Sequence, residues 1–370
     1  MDFEKLINPG LLSIKPYVPG KSVNEVLRER GTRDVVKMAS NENPLGVSPA
    51  AVEALRGAVS GVSVYPEVSC PELAEALAHR FRIERDNIIA GNGADGVIYT
   101  LGMSLLEKGD EAILPSVTFP MYEIVIKAMG AKPVRAPMRG YGIDLQQILK
   151  RVNRRTKMIW LSNPNNPTGT LIERHSLTRF MEQLPDHVLV AHDEVYSDFA
   201  DPLKYPDTVR MLLEGRENLF LIRSFSKIYG LAGLRVGYGI GPEPLIKLMY
   251  RVRPPFDVSV PAQTAAVAAL GDVSFYERTL EITRGGKEYL YRSLDALGLS
   301  YVPSHTNFIL IDTGMDDGVV CNKLLERGII ARPAGSYDLP DHIRITVGLQ
   351  EHNEKFIHAL KEILNERSCT

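Results

Sequence analysis

VLVAHDEVY, residues 188–196, sets a mostly apolar run, VLVAH, just before two carboxylates and a tyrosine. A run with no polar alternation is what a strand buried on both faces requires, as in a parallel sheet covered by helices. Carboxylates at the end of such a strand sit where open α/β sheets bind their ligands. Working outward, the same form recurs. NIIAG (87–91), EAILP (111–115), MIWLS (158–162) and LFLIR (219–223) are short apolar runs, and helical patterns fill about 94–107, 120–129, 144–152 and 173–184 between them. Ser48-Pro49 opens a further helix to about Val59, and Pro71 opens ELAEALAHRF, each proline suited to a first helical turn. This alternation predicts an α/β fold with a mostly parallel sheet flanked by helices.

After Arg253-Pro254-Pro255 the character changes. A charged helical stretch (about 273–297) leads to NFILID (307–312), a helix (about 317–327), IRITV (343–347) and a last helix (about 351–366). The expected division is an N-terminal arm (1–35) packing with the smaller domain, a large domain (36–253) and a smaller α+β domain (254–370). With 370 residues, 44% of them apolar, the chain buries an enzyme-sized core without a metal or disulfide staple. A net charge of −2 with dispersed Lys and Arg gives no basic face for nucleic acid or membrane. Cys70, Cys321 and Cys369 form no metal-binding spacing, and the N-terminus MDFEKLINPG is no secretory signal. A reduced, cytoplasmic protein with no metal is expected.

GNGADG (91–96) matches the dinucleotide fingerprint letter for letter, between a strand and a helix. The acidic residue that should end the next strand and hold a ribose is missing, because EAILP runs into Ser116. What survives is a helix start whose free N–H groups suit a single phosphate.

Four segments then offer four functional groups. SNPNNPTG (162–169) is a sharp Asn-Pro turn at a strand's end, and Asp193-Glu194-Val195-Tyr196 follows the next strand. In Ser224-Phe225-Ser226-Lys227 the lysine is flanked by Phe225, Ile228 and Tyr229, a setting that lowers an amine's pKa and makes it nucleophilic. GLAGLRVG (230–237) delivers Arg235 at a strand's start.

SNPNNPTG, DEVY, SFSK and GLAGLRVGY, in that order, resemble the hallmarks of the fold-type-I aminotransferases of the aspartate aminotransferase superfamily, and the likeness runs from about Ser40 to the C-terminus. The resemblance implies a seven-stranded large domain and pyridoxal 5'-phosphate as cofactor. By it, Lys227 would hold the cofactor as a Schiff base and shuttle the substrate's proton, and Asp193 would pair with the pyridinium nitrogen. Asn166 and Tyr196 would bond the ring's phenolic oxygen, and Phe119 would stack on the ring. Arg235, Ser224, Ser226 and the N–H groups of Ala94 and Asp95 would hold the phosphate. Tyr65 resembles the tyrosine lent to a neighbouring subunit, which implies a homodimer.

SNENPLG (40–46), YPE (65–67), GNGADG and the tail GIIARP (328–333) with IRITVG (343–348) resemble histidinol-phosphate aminotransferases. Gly96 departs from that pattern, where many relatives carry Glu. Arg344 and Arg332 would bind the substrate's anionic group, and Tyr17 would close over it. The implied reaction moves an amino group from L-histidinol phosphate to 2-oxoglutarate. An aromatic-amino-acid aminotransferase, a threonine-phosphate decarboxylase, a cofactor-binding regulator and a dehydrogenase are the alternative readings.

Overall fold

The computed structural model describes residues 1–16, 19–31 and 34–368. Seven strands form the main sheet: β1 (Ile88–Asn92), β2 (Glu111–Pro115), β3 (Lys132–Ala136), β4 (Thr156–Ser162), β5 (Leu189–Asp193), β6 (Leu219–Ser224) and β7 (Val236–Ile240). Their spatial order is β1-β7-β6-β5-β4-β2-β3. β7 runs antiparallel to both neighbours, while the pairs from β6 across to β3 are parallel. The period of two sorts side chains into two cores. Ile159, Leu161, Leu219 and Leu221 face one side, and Met158, Trp160, Phe220 and Ile222 face the other. The sequence reading missed β3, whose KPVRA is part-exposed and broken by Pro133. Its place on the sheet edge is the position that tolerates proline.

A second, antiparallel sheet contains β8 (Ser300–Val302), β9 (Phe308–Asp312), β10 (Arg332–Pro333) and β11 (His342–Thr346) in the order β8-β9-β11-β10. Its core joins Ile309, Ile311, Ile343 and Ile345 to Leu290, Leu294, Leu324, Phe356 and Ile363 from the helices. The segment before the main sheet supplies α1 (Val23–Arg30), α2 (Pro49–Ala58) and α3 (Pro71–Phe81). α4 (Gly93–Leu105) follows β1, and α5 (Met121–Ala128) follows β2.

The expected division after residue 253 needs correction. α6 (Val260–Gly271) lies beyond it, yet Ala262, Ala265, Ala266 and Ala269 are buried in the main sheet's core beside Ala51 and Leu73. The change of core occurs inside α7 (Val273–Ala296). Tyr276 and Leu280 near its start pack on the first core, and Leu290 and Leu294 belong to the second. Asp272 caps α7 through the N–H of Phe275 and also accepts from the Ser48 hydroxyl that caps α2. Farther along, a Cβ on Gly286 would lie 2.5 Å from Val347 Cγ1, so glycine there lets α7 close on the end of β11.

The N-terminal arm also divides. Val26 of α1 packs with Ala39, Leu325 and Ile330 of the smaller body, and Val36–Lys37 pairs with Ile329–Ile330. Its beginning lies instead on the larger body, where Asn8 Nδ2 donates to Ala128 O and Lys127 Nζ donates to Ser13 O. No helix among the described residues is long and apolar enough to cross a membrane.

Candidate active site

The C-terminal ends of β4, β5 and β6 meet along one rim. Ser162 stands opposite Asp193, and Asp193 opposite Ile222. Because β7 is antiparallel, its start reaches the same rim, pairing Val236 with Asn92 just before α4. The four segments singled out in the sequence are thereby brought to one cleft of about 290 Å3. Its walls include Asp193, Tyr196, Lys227, Asn166, Arg235 and Arg344.

Asp193 is buried, with Tyr122 Oη donating to Oδ2 at 2.6 Å and the Val195 N–H donating to Oδ1 at 3.0 Å. Burial raises its carboxyl to about 6, opposed by the Tyr122 hydrogen bond. Lys227 Nζ donates to Ser40 O at 3.2 Å and stands 5.7 Å from the Tyr196 ring centre. Burial, aided by the Arg344 charge, lowers its amine to about 8. A buried acid and a buried amine, shifted toward neutrality in one cleft, are the marks of a reacting centre.

α4 begins at this rim with Gly93 in the left-handed region at φ +71°. A Cβ there would meet Arg235 Nη2 at 2.5 Å, and one on Gly237 would meet Ala94 N at 2.5 Å. The two glycines thus create a cradle of backbone and guanidinium that side chains would fill, with Ser224, Ser226, Ala94 and Asp95 around it. Arg235 Nη2 also donates to Asp95 Oδ2 at 3.0 Å, so an arriving anion shares that guanidinium with a carboxylate.

The Asn-Pro turn is held by Asn163, whose amide exchanges two hydrogen bonds with the Ile172 backbone. Asn166 is left facing the cleft, its Oδ1 accepting from Arg344 Nη1. Arg344, on β11, is buried. Its Nη2 donates to Ala39 O at 2.9 Å, its guanidinium lies 5.1 Å from the Phe308 ring centre, and its Nε has no hydrogen-bond partner among the described residues.

The other expected residues are less close together. Phe119 lines the cleft and meets Tyr122 edge-on at 5.7 Å. Arg332 is the cross-strand neighbour of Arg344, but it lines an adjoining cavity of about 430 Å3 that shares Phe119 with the cleft. Tyr65 does not line the cleft. It is 78% exposed and stacks on Phe256 at 4.5 Å. Tyr17 and Cys369 lie outside the described residues. Ser40, Asn41 and Tyr122 belong to the site although the sequence reading gave them no role. SNENPLG was the available signal for the first two.

Glu194 points to the opposite side of β5 from Asp193. It is fully buried, accepting from Thr208 Oγ1, from Arg223 at 2.7 and 2.6 Å, and lying 3.0 Å from His192 Nδ1. Its carboxyl is held down to about 2 by Arg223 and His192 against the cost of burial. Glu194→Ala strands the Arg223 charge and is expected to remove about 3–5 kcal/mol of stability, read from the denaturant midpoint.

A family model for aminotransferase class I and II matches residues 33–360, and the chain belongs to that family. It is 44% identical over 354 residues to the histidinol-phosphate aminotransferase of Moorella thermoacetica, covering 96% of this chain and 92% of that protein. The enzyme of the same name from Caldicellulosiruptor saccharolyticus is 42% identical over 95% of this chain and 98% of its own length. Among solved structures, histidinol-phosphate aminotransferase from Sinorhizobium meliloti in complex with pyridoxal-5'-phosphate superposes with a TM-score of 0.90 at 26% identity. That match covers 97% of this chain and 98% of the other.

Proposed function

We propose that this chain transfers the amino group of L-histidinol phosphate to 2-oxoglutarate on pyridoxal 5'-phosphate, giving imidazole-acetol phosphate and L-glutamate in histidine biosynthesis. The observation that carries the reading is the shared cleft of Lys227 and Asp193, an amine lowered to about 8 and a carboxyl raised to about 6. The glycine-formed cradle fits the cofactor's phosphate, and the buried carboxylate fits a ring nitrogen that must stay protonated. Bound pyridoxal phosphate supplies the electron sink that lets a Cα proton leave.

The chain's residues do the rest. Lys227 would hold the cofactor covalently and, when free, would carry the proton from the substrate's Cα. Asp193 would keep the ring nitrogen protonated. Tyr196 and the amide nitrogen of Asn166 would serve as donors to the phenolic oxygen, and Phe119 would pack against the ring. Arg235, Ser224, Ser226 and the first N–H groups of α4, at Ala94 and Asp95, take the phosphate. Arg344 binds the donor's phosphate in one half reaction and the acceptor's carboxylate in the other, its Nε, without a partner among the described residues, being a spare donor for either. Arg332, one strand over, adds charge from the adjoining cavity, and Tyr17 closes over the substrate.

The working unit in this reading is a homodimer, with Tyr65 reaching the partner's cofactor phosphate. Support comes from the apolar strip beside it, where Val62, Val64 and Tyr65 are 59%, 69% and 78% exposed. Two domains meet within α7, and the setting is cytoplasmic, in keeping with free Cys70 and Cys321.

The test is the visible spectrum of the holoenzyme on adding L-histidinol phosphate without a keto acid. Bleaching of the cofactor band is expected. A band that ignores histidinol phosphate but bleaches with phenylalanine moves the donor to aromatic amino acids. Arg344→Ala should lower kcat/KM about 100-fold in both half reactions, the loss of roughly 3 kcal/mol of charge-assisted bonding. Unchanged half reactions would end Arg344's role.

A further inference from the structure

The segment 39–43 touches the site at every turn. Ala39 O accepts from Arg344, Ser40 O from Lys227 Nζ, and Asn43 Nδ2 donates to the Ile228 carbonyl. Its centre is Asn41, which is 1% exposed and holds a left-handed backbone at φ +56°. Asparagine is among the few residues other than glycine that adopt this conformation readily.

The hydrogen bonds around Asn41 fix its amide. The Thr346 hydroxyl accepts from the Asn41 N–H at 2.9 Å, so its own proton is free for Asn41 Oδ1 at 3.3 Å. Asn307 Nδ2 donates to Asn41 O at 3.0 Å. With Oδ1 thus engaged, Nδ2 faces Tyr196 and donates to its hydroxyl at 2.8 Å. A phenol that accepts from a neighbouring N–H must direct its own proton elsewhere. Burial also pushes the Tyr196 phenol above its ordinary range, so that proton stays in place.

We infer that Asn41 is a positioning residue for Tyr196, turning the hydroxyl's proton into the Lys227 cleft and tying that orientation to the smaller sheet. The tie runs through Thr346, which lies on the same face of β11 as Arg344, two residues on. The strand that carries the substrate-binding arginine therefore also holds the residue that aims the Tyr196 proton. This inference rests on the reading, given above, that Tyr196 donates to the cofactor's phenolic oxygen.

A donor on the phenolic oxygen makes that oxygen less basic and loosens the proton on the Lys227-derived nitrogen beside it. Losing the donor therefore raises the pH midpoint of the bound cofactor's visible band. Tyr196→Phe should raise it by about one to two units, the value of one hydrogen bond to a charged oxygen. Asn41→Gly keeps the left-handed backbone, deletes the amide, and should raise the midpoint by a smaller amount, with no further rise when added to Tyr196→Phe. Thr346→Val, which keeps asparagine at the left-handed position but removes the hydroxyl that holds both its N–H and its Oδ1, should move it the same way if the glycine variant folds poorly. If Tyr196→Phe leaves the midpoint alone, the reading of Tyr196 falls and takes this inference with it. If Tyr196→Phe moves it but neither Asn41→Gly nor Thr346→Val does, the inference alone is overturned. It is equally overturned if Asn41→Gly has the same effect with and without the Tyr196 hydroxyl.

Discussion

Lys227→Ala is expected to slow transamination by about 10⁴-fold, the upper range for removing a positioned proton carrier. The cradle at Gly93, Arg235 and Ser226 is untouched by this change, so the variant should still bind pyridoxal phosphate, without the covalent link. Small amines should restore part of the rate by entering the space left by the side chain, and failure of any amine to do so counts against a proton-carrying role. The unmodified apoenzyme offers a second check. Only the neutral amine attacks an aldehyde, and burial with the Arg344 charge lowers Lys227 to about 8. Capture of pyridoxal phosphate should therefore speed up with pH and level off above about 8. Removing the positive charge in Arg344→Ala should move that midpoint upward. A midpoint near the ordinary lysine value in both proteins would show that the cleft does not tune this amine.

Asp193→Asn should reduce the rate by about 10³-fold, since one preorganised charge at the reacting centre is worth that much, while making the apoenzyme more stable at pH 8. The sign follows from the shift. The Asp193 carboxyl is raised from 3.8 to about 6 by burial, so the folded state holds this proton more tightly than the unfolded chain. Its contribution is fully present below about 3.8, is lost as pH rises through about 6, and amounts to about 3 kcal/mol. Asparagine does not titrate and escapes that cost, less whatever is lost at the Tyr122 hydrogen bond. Thermal melts of the two apoenzymes should coincide below pH 4, separate between pH 4 and 6, and stay apart at higher pH. Cofactor should reverse the order, because only the carboxylate meets a cationic ring. A variant that melts lower at every pH would refute the account of Asp193 as a strained group.

The sequence was legible where burial leaves a simple mark. VLVA and LFLI are apolar throughout because both faces of their strands are covered, and the groups that follow them fall on one rim. KPVRA was not legible, because an edge strand needs neither continuous apolarity nor every N–H. PAQTAAVAALG escaped for another reason: Ala262, Ala265, Ala266 and Ala269 are buried on one face, but small apolar residues on the other faces hide that period from the sequence. That Asp193, Lys227, Asn166 and Tyr196 line one cleft followed from local motifs after the ends of adjacent strands, and Arg235 from one at the start of β7. The roles of Asn41 and Tyr122 did not, because their bonds to Tyr196 and Asp193 span 155 and 71 residues, and SNENPLG marks the segment of Asn41 without its partner. Arg332, the cross-strand neighbour of Arg344, lines an adjoining cavity that shares Phe119 with the cleft.

The helix that begins on one core and ends on the other sets a phase as well as a distance. α7 is fixed at its start by Asp272 against Ser48 and again, more than three turns on, where Gly286 meets Val347. One residue added between those points would turn everything beyond it by about 100°. The smaller sheet would then swing round the helix axis and carry Arg344 out of the cleft, though every side chain and hydrogen bond within each body stayed as it was. Side chains on the outward face of that span can be exchanged one for another, but its residue count is part of the active site.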